Sequence, residues 1–240
     1  MDVADSFAYV AAGTSGLTVV DVSDRTVPRV RGTLAGIGNA QAVRASGQNV
    51  FIGDANGFLR IVNVQNPDAP ALVSSLPIAG NPAALALHGT LLAVAAQSGG
   101  VSLVNIGNPA SPSLLSAFTP PGGAVGVDFD PQSGVAAIAM RTAGLQLADI
   151  SNPAAPKLRG ILAGGDVRRV LLRLPAALLA DTQRSVTAVD VSNPDKPVLS
   201  SSLAFNLGAF RWTSRALATP RLRRMSLSAV QFQSSISPIR

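Results

Sequence analysis

The residue types that this 240-residue chain lacks limit its chemistry. There is no cysteine, so disulfide bonds and thiolate metal ligands are excluded, while the redox compartment remains open. The only histidine, His88, excludes a site with several histidine ligands, and we place it in a turn. The sequence has no glycine-rich phosphate loop, calcium-binding loop or serine nucleophile elbow. We therefore expect neither a metal site nor a cofactor.

Aromatic residues and long hydrophobic runs are also scarce. With 4% aromatics, the core must be built from Val, Leu, Ile and Ala, which suits closely stacked sheets. No apolar run approaches the ~18 residues of a membrane helix, since the nearest, Leu171 to Ala180, contains Arg173 and Pro175. The mean hydropathy of +0.34 instead predicts strands that are covered on both faces. We expect no transmembrane segment, and no cleavable signal is visible after Met1.

The net charge of +6 comes from one part of the chain. Up to Leu207, 13 basic residues balance 13 aspartates, and the chain has no glutamate. The excess consists of six arginines without a neighbouring acid: Arg211, Arg215, Arg221, Arg223, Arg224 and Arg240. A solvated basic segment is more typical of such a run than a nucleic-acid site, so nucleic acid is the least favoured partner.

One phrase of about twelve residues recurs five times along the chain. It reads LTVVDVSDRTVP, LRIVNVQNPDAP, VSLVNIGNPASP, LQLADISNPAAP and VTAVDVSNPDKP. The polar residues that end its strand, Asp21, Asn63, Asn105, Asp149 and Asp190, are 42, 42, 44 and 41 residues apart. We interpret these five residues as caps of the strand end, because a proline turn follows most of them. A period of this length indicates a repeat architecture.

Each repeat contains four candidate strands, which the second copy shows most clearly. They are Ala40 to Ala45, Asn49 to Gly53, Phe58 to Val64 and Ala71 to Ile78. Strands and turns at this spacing indicate antiparallel sheet. Four antiparallel strands in about 42 residues are typical of a β-propeller blade, which buries its two apolar faces against neighbouring blades.

The repeated phrase resembles that of the LVIVD repeat family. Ala8-Tyr9-Val10-Ala11 and Gly16-Leu17 precede the first copy, Ala143-Gly144-Leu145 introduces the fourth, and the similarity covers residues 7–203. The resemblance implies an all-β chain that folds as a β-propeller of four-stranded antiparallel blades, in a family of exported or surface-attached proteins with poorly defined activity. A WD40 array fits less well, because it would need recurring Gly-His and Trp-Asp pairs.

The repeats predict one propeller domain over residues 1–240. Their approximate bounds are 1–38, 39–80, 81–122, 123–165 and 166–207, followed by a degenerate sixth copy or closing tail over 208–240. We favour six blades; five blades closed by strand exchange, or an incomplete ring, stay open. The first copy has Arg25 in place of the turn proline and is expected to lack an innermost strand. In the fifth copy, one continuous run over residues 171–180 stands where the other copies have two clearly separated strands.

Ligand-binding residues are expected on the turns that meet around the axis, because loops carry function in repeat folds. The turns between the second and third strands offer Thr14, Asp54, Gln97, Arg141 and Asp181. The crossings between blades offer Asn39, Gln41, Asn81, Asp166, Arg168 and Arg211. The alternative is that these residues only form tight turns. Asp128 and Asp130 lie near a hairpin at the opposite face and are interpreted as turn formers.

These features favour a binding or scaffold protein without catalysis. Its partner would be a protein or a glycan held on the axial loops of a monomer. The alternative is a carbohydrate-active hydrolase or lyase that uses the same face, but this requires converging acids. Asp54 and Asp181 occupy equivalent turns on well-separated blades, which is too far apart for paired acid/base catalysis.

Overall fold

The computed structural model describes residues 1–182 and 185–204, which contain twenty strands and no helix. Blade 1 has β1 (Asp2–Ala4), β2 (Phe7–Ala11), β3 (Leu17–Asp21) and β4 (Arg29–Leu34). Blade 2 has β5 (Ala40–Ser46), β6 (Asn49–Asp54), β7 (Phe58–Asn63) and β8 (Ala71–Pro77). Blade 3 has β9 (Ala84–His88), β10 (Leu91–Ala95), β11 (Val101–Asn105) and β12 (Ser113–Phe118). Blade 4 has β13 (Gly126–Asp130), β14 (Val135–Ala139), β15 (Leu145–Asp149) and β16 (Lys157–Leu162). Blade 5 has β17 (Val167–Arg173), β18 (Ala176–Asp181), β19 (Ser185–Asp190) and β20 (Val198–Ala204).

Each blade is an antiparallel sheet in which strands pair in chain order. The first strand of every blade therefore lies at one edge of its sheet, and these inner strands surround a common axis. The arrangement is a β-propeller, as the repeats predict. Five blades lie within the alternatives that the sequence left open, while residues 208–240, where a sixth copy was expected, are outside the described residues. One domain over the whole chain stays a prediction.

Adjacent blades are held together by clusters of buried aliphatic side chains. Four such clusters join blades 1 and 2, 2 and 3, 3 and 4, and 4 and 5. In the last of these, Leu145 and Leu147 of blade 4 pack with Leu172 and Leu179 of blade 5. Full burial of one such side chain contributes roughly 1.5–3 kcal/mol. Packing between blades is therefore a main source of stability.

The proline turns of the third, fourth and fifth repeats make a second contact between blades. The hydroxyl of Ser74 donates to the carbonyl of Pro109 (2.6 Å), and that of Ser116 donates to the carbonyl of Pro153 (2.5 Å). At the next interface, the N–H of Gly160 donates to Pro194 (2.8 Å). We call this contact between an outer strand and the following proline turn the outer clasp. It fixes the rims of blades 2 to 5 to one another.

The outward faces of blades 1 and 5 are open among the described residues. On blade 5, Leu171, Leu178 and Ala188 are cross-strand partners, and Leu171 and Leu178 are 43% and 40% exposed. The equivalent Ala137 and Leu147 of blade 4 are fully buried by blade 5. Over residues 1–182 and 185–204, no hydrophobic cluster joins blade 5 to blade 1.

Two expectations about individual strands were wrong. The first copy does have an innermost strand, because Asp2–Ala4 pairs with Phe7–Ala11. The fifth copy has two clean strands, β17 and β18, which a turn at Leu174 and Pro175 separates. The uniform hydrophobicity of residues 171–180 hid this turn. Among the described residues, no helix has the length and hydrophobicity needed to cross a lipid bilayer.

Candidate functional site

The turns between second and third strands meet the crossings between blades on one face, which we call the axial loop face. Backbone groups connect them, because Gln97 exchanges two hydrogen bonds with Ala124 (2.7 and 2.9 Å). Arg141 does the same with Val167, and Gly13 with Ala40 (2.9–3.0 Å). The turns of blades 1, 3 and 4 are thereby fixed to the entrance of the next blade. This face has a rigid backbone on which side chains can be presented.

A groove of about 460 Å³ lies on this face between blades 3 and 4. Its walls include Gln97 from the turn of blade 3, Arg141 from the turn of blade 4, and Thr119, Pro120 and Pro121 from the crossing between them. Neither the Gln97 amide nor the Arg141 guanidinium makes a side-chain hydrogen bond with another described residue. The groove therefore combines an apolar proline wall with two available hydrogen-bonding groups.

Gln97 and Arg141 both have left-handed backbone conformations, with φ of 52° and 54°. Gly13 occupies the equivalent position of blade 1 with φ of 60°. Residues with a Cβ are disfavoured in this region, whereas glycine adopts it readily. Strained positions of this kind occur at functional sites, where the side chain is needed in a particular place.

We expect Arg141→Gly to be more stable than Arg141→Ala by about 0.5–1 kcal/mol, because only glycine relieves the left-handed strain. Both variants remove the guanidinium, so the comparison isolates the backbone. The measurement is urea unfolding followed by circular dichroism. Equal midpoints for the two variants would show that no strain is stored there.

Asp54 lies inside the protein. Its carboxylate is fully buried and accepts hydrogen bonds from the N–H groups of Asn39 (2.8 Å) and Asn56 (3.0 Å). The Arg60 guanidinium forms an ion pair with it, with Nη2 3.0 Å from Asp54 Oδ2. Burial alone would raise the pKa of Asp54, but the Asn56 and Asn39 N–H donors and Arg60 outweigh it and lower the pKa. Asp54 thus fixes the segment that enters blade 2 and does not reach the surface.

A second polar cluster lies where the chain enters blade 5. Arg168 donates to Asp166 (2.8 Å), and the Thr182 hydroxyl donates to the same carboxylate (3.0 Å). Their hydrogen bonds, led by that of Arg168, lower the pKa of Asp166, and the charge of Arg141 adds to this. Asn39 and Gln41 form the equivalent pair at the entrance to blade 2 (2.9 Å).

Three buried polar atoms around these crossings have no hydrogen-bond partner among the described residues. They are Asn81 Oδ1, Asp166 Oδ1 and Arg168 Nε. Buried polar atoms are nearly always paired, so these three are exceptions within this face. All three belong to residues that the sequence placed on the axial loop face.

The remaining predicted site residues differ in their surroundings. Thr14 is exposed, whereas the Asp181 carboxylate accepts from the N–H and hydroxyl of Ser185 (2.8 and 2.6 Å). Arg211 lies outside the described residues. Hydrogen-bond donors stabilise the ionised forms of Asp54 and Asp166. Neither therefore has the raised pKa of a general acid.

The polar residues that end the third strands bind the backbone two residues later. Asp21 accepts from the N–H of Ser23 (3.0 Å), Asn63 from Gln65 (3.0 Å) and Asn105 from Gly107 (2.9 Å). Asp149 and Asp190 bind Ser151 and Ser192 in the same way (3.0 and 2.9 Å). These contacts start the proline turn, which the outer clasp then holds.

Asp128 is not a turn former, unlike Asp130, whose carboxylate accepts from the N–H groups of Gln132 and Ser133. Asp128 Oδ2 accepts from the N–H of Leu172 in the next blade (2.8 Å). Asp2 binds the N–H of Ala45 in the same way (2.9 Å). His88 lies at the end of β9, with its Nε2 4.0 Å from Asp128 and its ring edge-on to Phe129. Sequence reasoning missed these contacts because they join residues 40 to 44 positions apart in neighbouring blades.

The family model for the LVIVD repeat matches residues 1–35, 37–77, 79–119, 135–163 and 164–204. These segments cover most of the chain: four of them span whole blades, and the segment 135–163 covers blade 4 without β13. The chain therefore belongs to the LVIVD repeat family. No curated protein is significantly similar to it.

Solved structures with the same fold are distant in sequence. A functionally unknown protein from Desulfotomaculum acetoxidans is 13% identical (TM-score 0.69), and the match covers 83% of this chain and 67% of that one. Chaetomium thermophilum Sqt1, solved with the N-terminus of the ribosomal protein L10, is 14% identical (TM-score 0.64; 83% and 59%). The β-propeller domain of Myceliophteria thermophila Cps50 (Swd1) is 14% identical (TM-score 0.63; 85% and 70%). The similarity establishes the fold, and the chain spans less than two thirds of the Sqt1 chain.

Proposed function

We propose that this protein is a non-catalytic binding module that holds an extended segment of a partner protein on its axial loop face. The observation that carries the proposal is the groove between blades 3 and 4. Its two proline rings offer an apolar wall, and Gln97 and Arg141 can bind main-chain carbonyls or a carboxylate. The left-handed turns hold both side chains on a fixed backbone, which lowers the entropy cost of binding.

The solved complex of Sqt1 supports a peptide ligand, because that propeller was crystallised with the N-terminus of another protein. A glycan is the competing ligand, since sugar hydroxyls can pair with the same amide and guanidinium. We extend the proposal to a monomer that is exported or attached to the cell surface, which the family resemblance supports. Size-exclusion chromatography and protease treatment of intact cells test these two points.

The direct test is a combined peptide and glycan array probed with the purified chain. We expect peptide hits that weaken at least about tenfold in the double variant Gln97→Ala/Arg141→Ala, because each side chain contributes about 1 kcal/mol or more of hydrogen bonding. Gln132→Ala is the matched control, since Gln132 is an exposed turn residue in the hairpin at the opposite face.

Three results would contradict the proposal. Peptide hits that survive the double variant would place binding elsewhere. Hits confined to glycans would show that the ligand is a glycan and not a protein segment. Cleavage of an array ligand, detected by mass spectrometry, would instead favour the hydrolase or lyase.

A further inference from the structure

A separate cavity of about 260 Å³ lies on the propeller axis. Its walls come from the inner strands of blades 2 to 5, with Met1 of blade 1. It shares no lining residue with the groove between blades 3 and 4. Its ligand is therefore a separate question from the partner of the axial loop face.

Backbone groups of the inner strands are directed into this cavity. The N–H groups of Ala45 and Leu172 donate to Asp2 and Asp128, so they face away from their own sheets. Hydrogen-bonding direction alternates along an antiparallel strand, so the residues two positions earlier, Val43 and Val170, also direct their N–H groups to the axis. Both residues line the cavity, as do the equivalent Leu85 and Val127.

The charge of the cavity wall is positive. Arg44 and Arg169 line it, and none of the acidic residues in the described part of the chain does. Arg44 Nη1 donates to the carbonyl of Val43 (3.3 Å), which places its guanidinium at the axial edge of β5. Arg169 makes no hydrogen bond or ion pair with a described residue. The nearby acids, Asp2 and Asp128, are already engaged by backbone N–H groups.

We infer that the axial cavity binds a small divalent oxyanion, such as phosphate or a short dicarboxylate. Two guanidinium groups supply charge-assisted hydrogen bonds from different sides, and the inward N–H groups lie beside the inward carbonyls of the same residues as further donors. Both arginines are exposed, so salt screens their attraction to the anion. A cavity of this volume admits phosphate or malonate and excludes a folded macromolecule.

Isothermal titration calorimetry with inorganic phosphate, and separately with malonate, tests this inference. We expect one anion per chain, with binding that weakens as salt is raised. Arg44→Gln and Arg169→Gln should each weaken it at least about tenfold, and the double variant should abolish it. Arg29→Gln is the control, because Arg29 is an exposed arginine on the outer strand β4. Circular dichroism confirms that each variant is folded.

Binding that the double variant retains, or that Arg29→Gln weakens equally, would overturn the axial site. So would the absence of heat with both anions at about 10 mM. Because the cavity and groove share no residue, the array experiment with Gln97→Ala/Arg141→Ala has an independent outcome. Failure of one site therefore leaves the other testable.

Discussion

Asp54→Asn is expected to lower the free energy of unfolding by about 3 kcal/mol at neutral pH. The asparagine keeps the size of the side chain, but its amide cannot accept from all of Asn39, Asn56 and Arg60. The Arg60 guanidinium would lose its ion-pair partner in a site that water barely reaches. Urea unfolding followed by circular dichroism measures the loss.

The effect should depend on pH in a defined direction. The folded-state pKa of Asp54 is lowered, so its contribution to stability is fully present above the unfolded value near 4 and is lost as pH falls through the folded value. The difference between wild type and Asp54→Asn should therefore shrink between pH 7 and pH 3. Asp24→Asn is the control, because Asp24 is an exposed turn residue whose midpoint should change far less. A difference that persists at low pH would contradict the role of the charge.

Leu147→Ala is expected to destabilise the protein by about 3 kcal/mol, within the usual range for a fully buried leucine. Leu147 has no exposed surface and packs in the cluster between blades 4 and 5. The matched control is Leu178→Ala, because Leu178 is a strand leucine on the open face of blade 5. Its cost should be below about 1 kcal/mol, since truncation there leaves no enclosed cavity.

The same unfolding experiment compares the two leucine variants. If Leu178→Ala costs as much as Leu147→Ala, the open face of blade 5 is covered in solution. If neither has an effect, the packing between blades does not determine stability. Either result would contradict the order expected from their burial.

The sequence predicts most of the fold because its signals are local. Asn63 and Asn66 start the turn that Pro67 continues, and their side chains bind backbone N–H groups two residues away. The hairpin expected near Asp128 and Asp130 is also confirmed, since β13 ends at Asp130 and β14 begins at Val135. Such features depend on residues that are close together in the chain, so repeats and hairpins can be predicted from the sequence alone.

The candidate site was less predictable because it depends on contacts between blades. In the sequence, Asp54 looks like an ordinary turn-forming residue. Its burial comes from packing against Asn39 and Arg60, which the sequence does not reveal. Asp128 lies near a hairpin in the sequence but binds Leu172, 44 residues later. Gln97 and Arg141 were predicted on the correct turns, whereas the prolines at 120 and 121 gave no sequence signal that they complete the groove.

The outer clasp has a consequence for how such rings change in size. Ser74, Ser116 and Gly160 contact the proline turn of the following blade at three successive interfaces through the same carbonyl position. A duplicated 42-residue unit inserted at any of these boundaries would present a donor from the same position of the outer strand to one neighbour and the same proline carbonyl to the other. The blades are thus interchangeable parts, and gene duplication can alter their number without a new interface having to evolve.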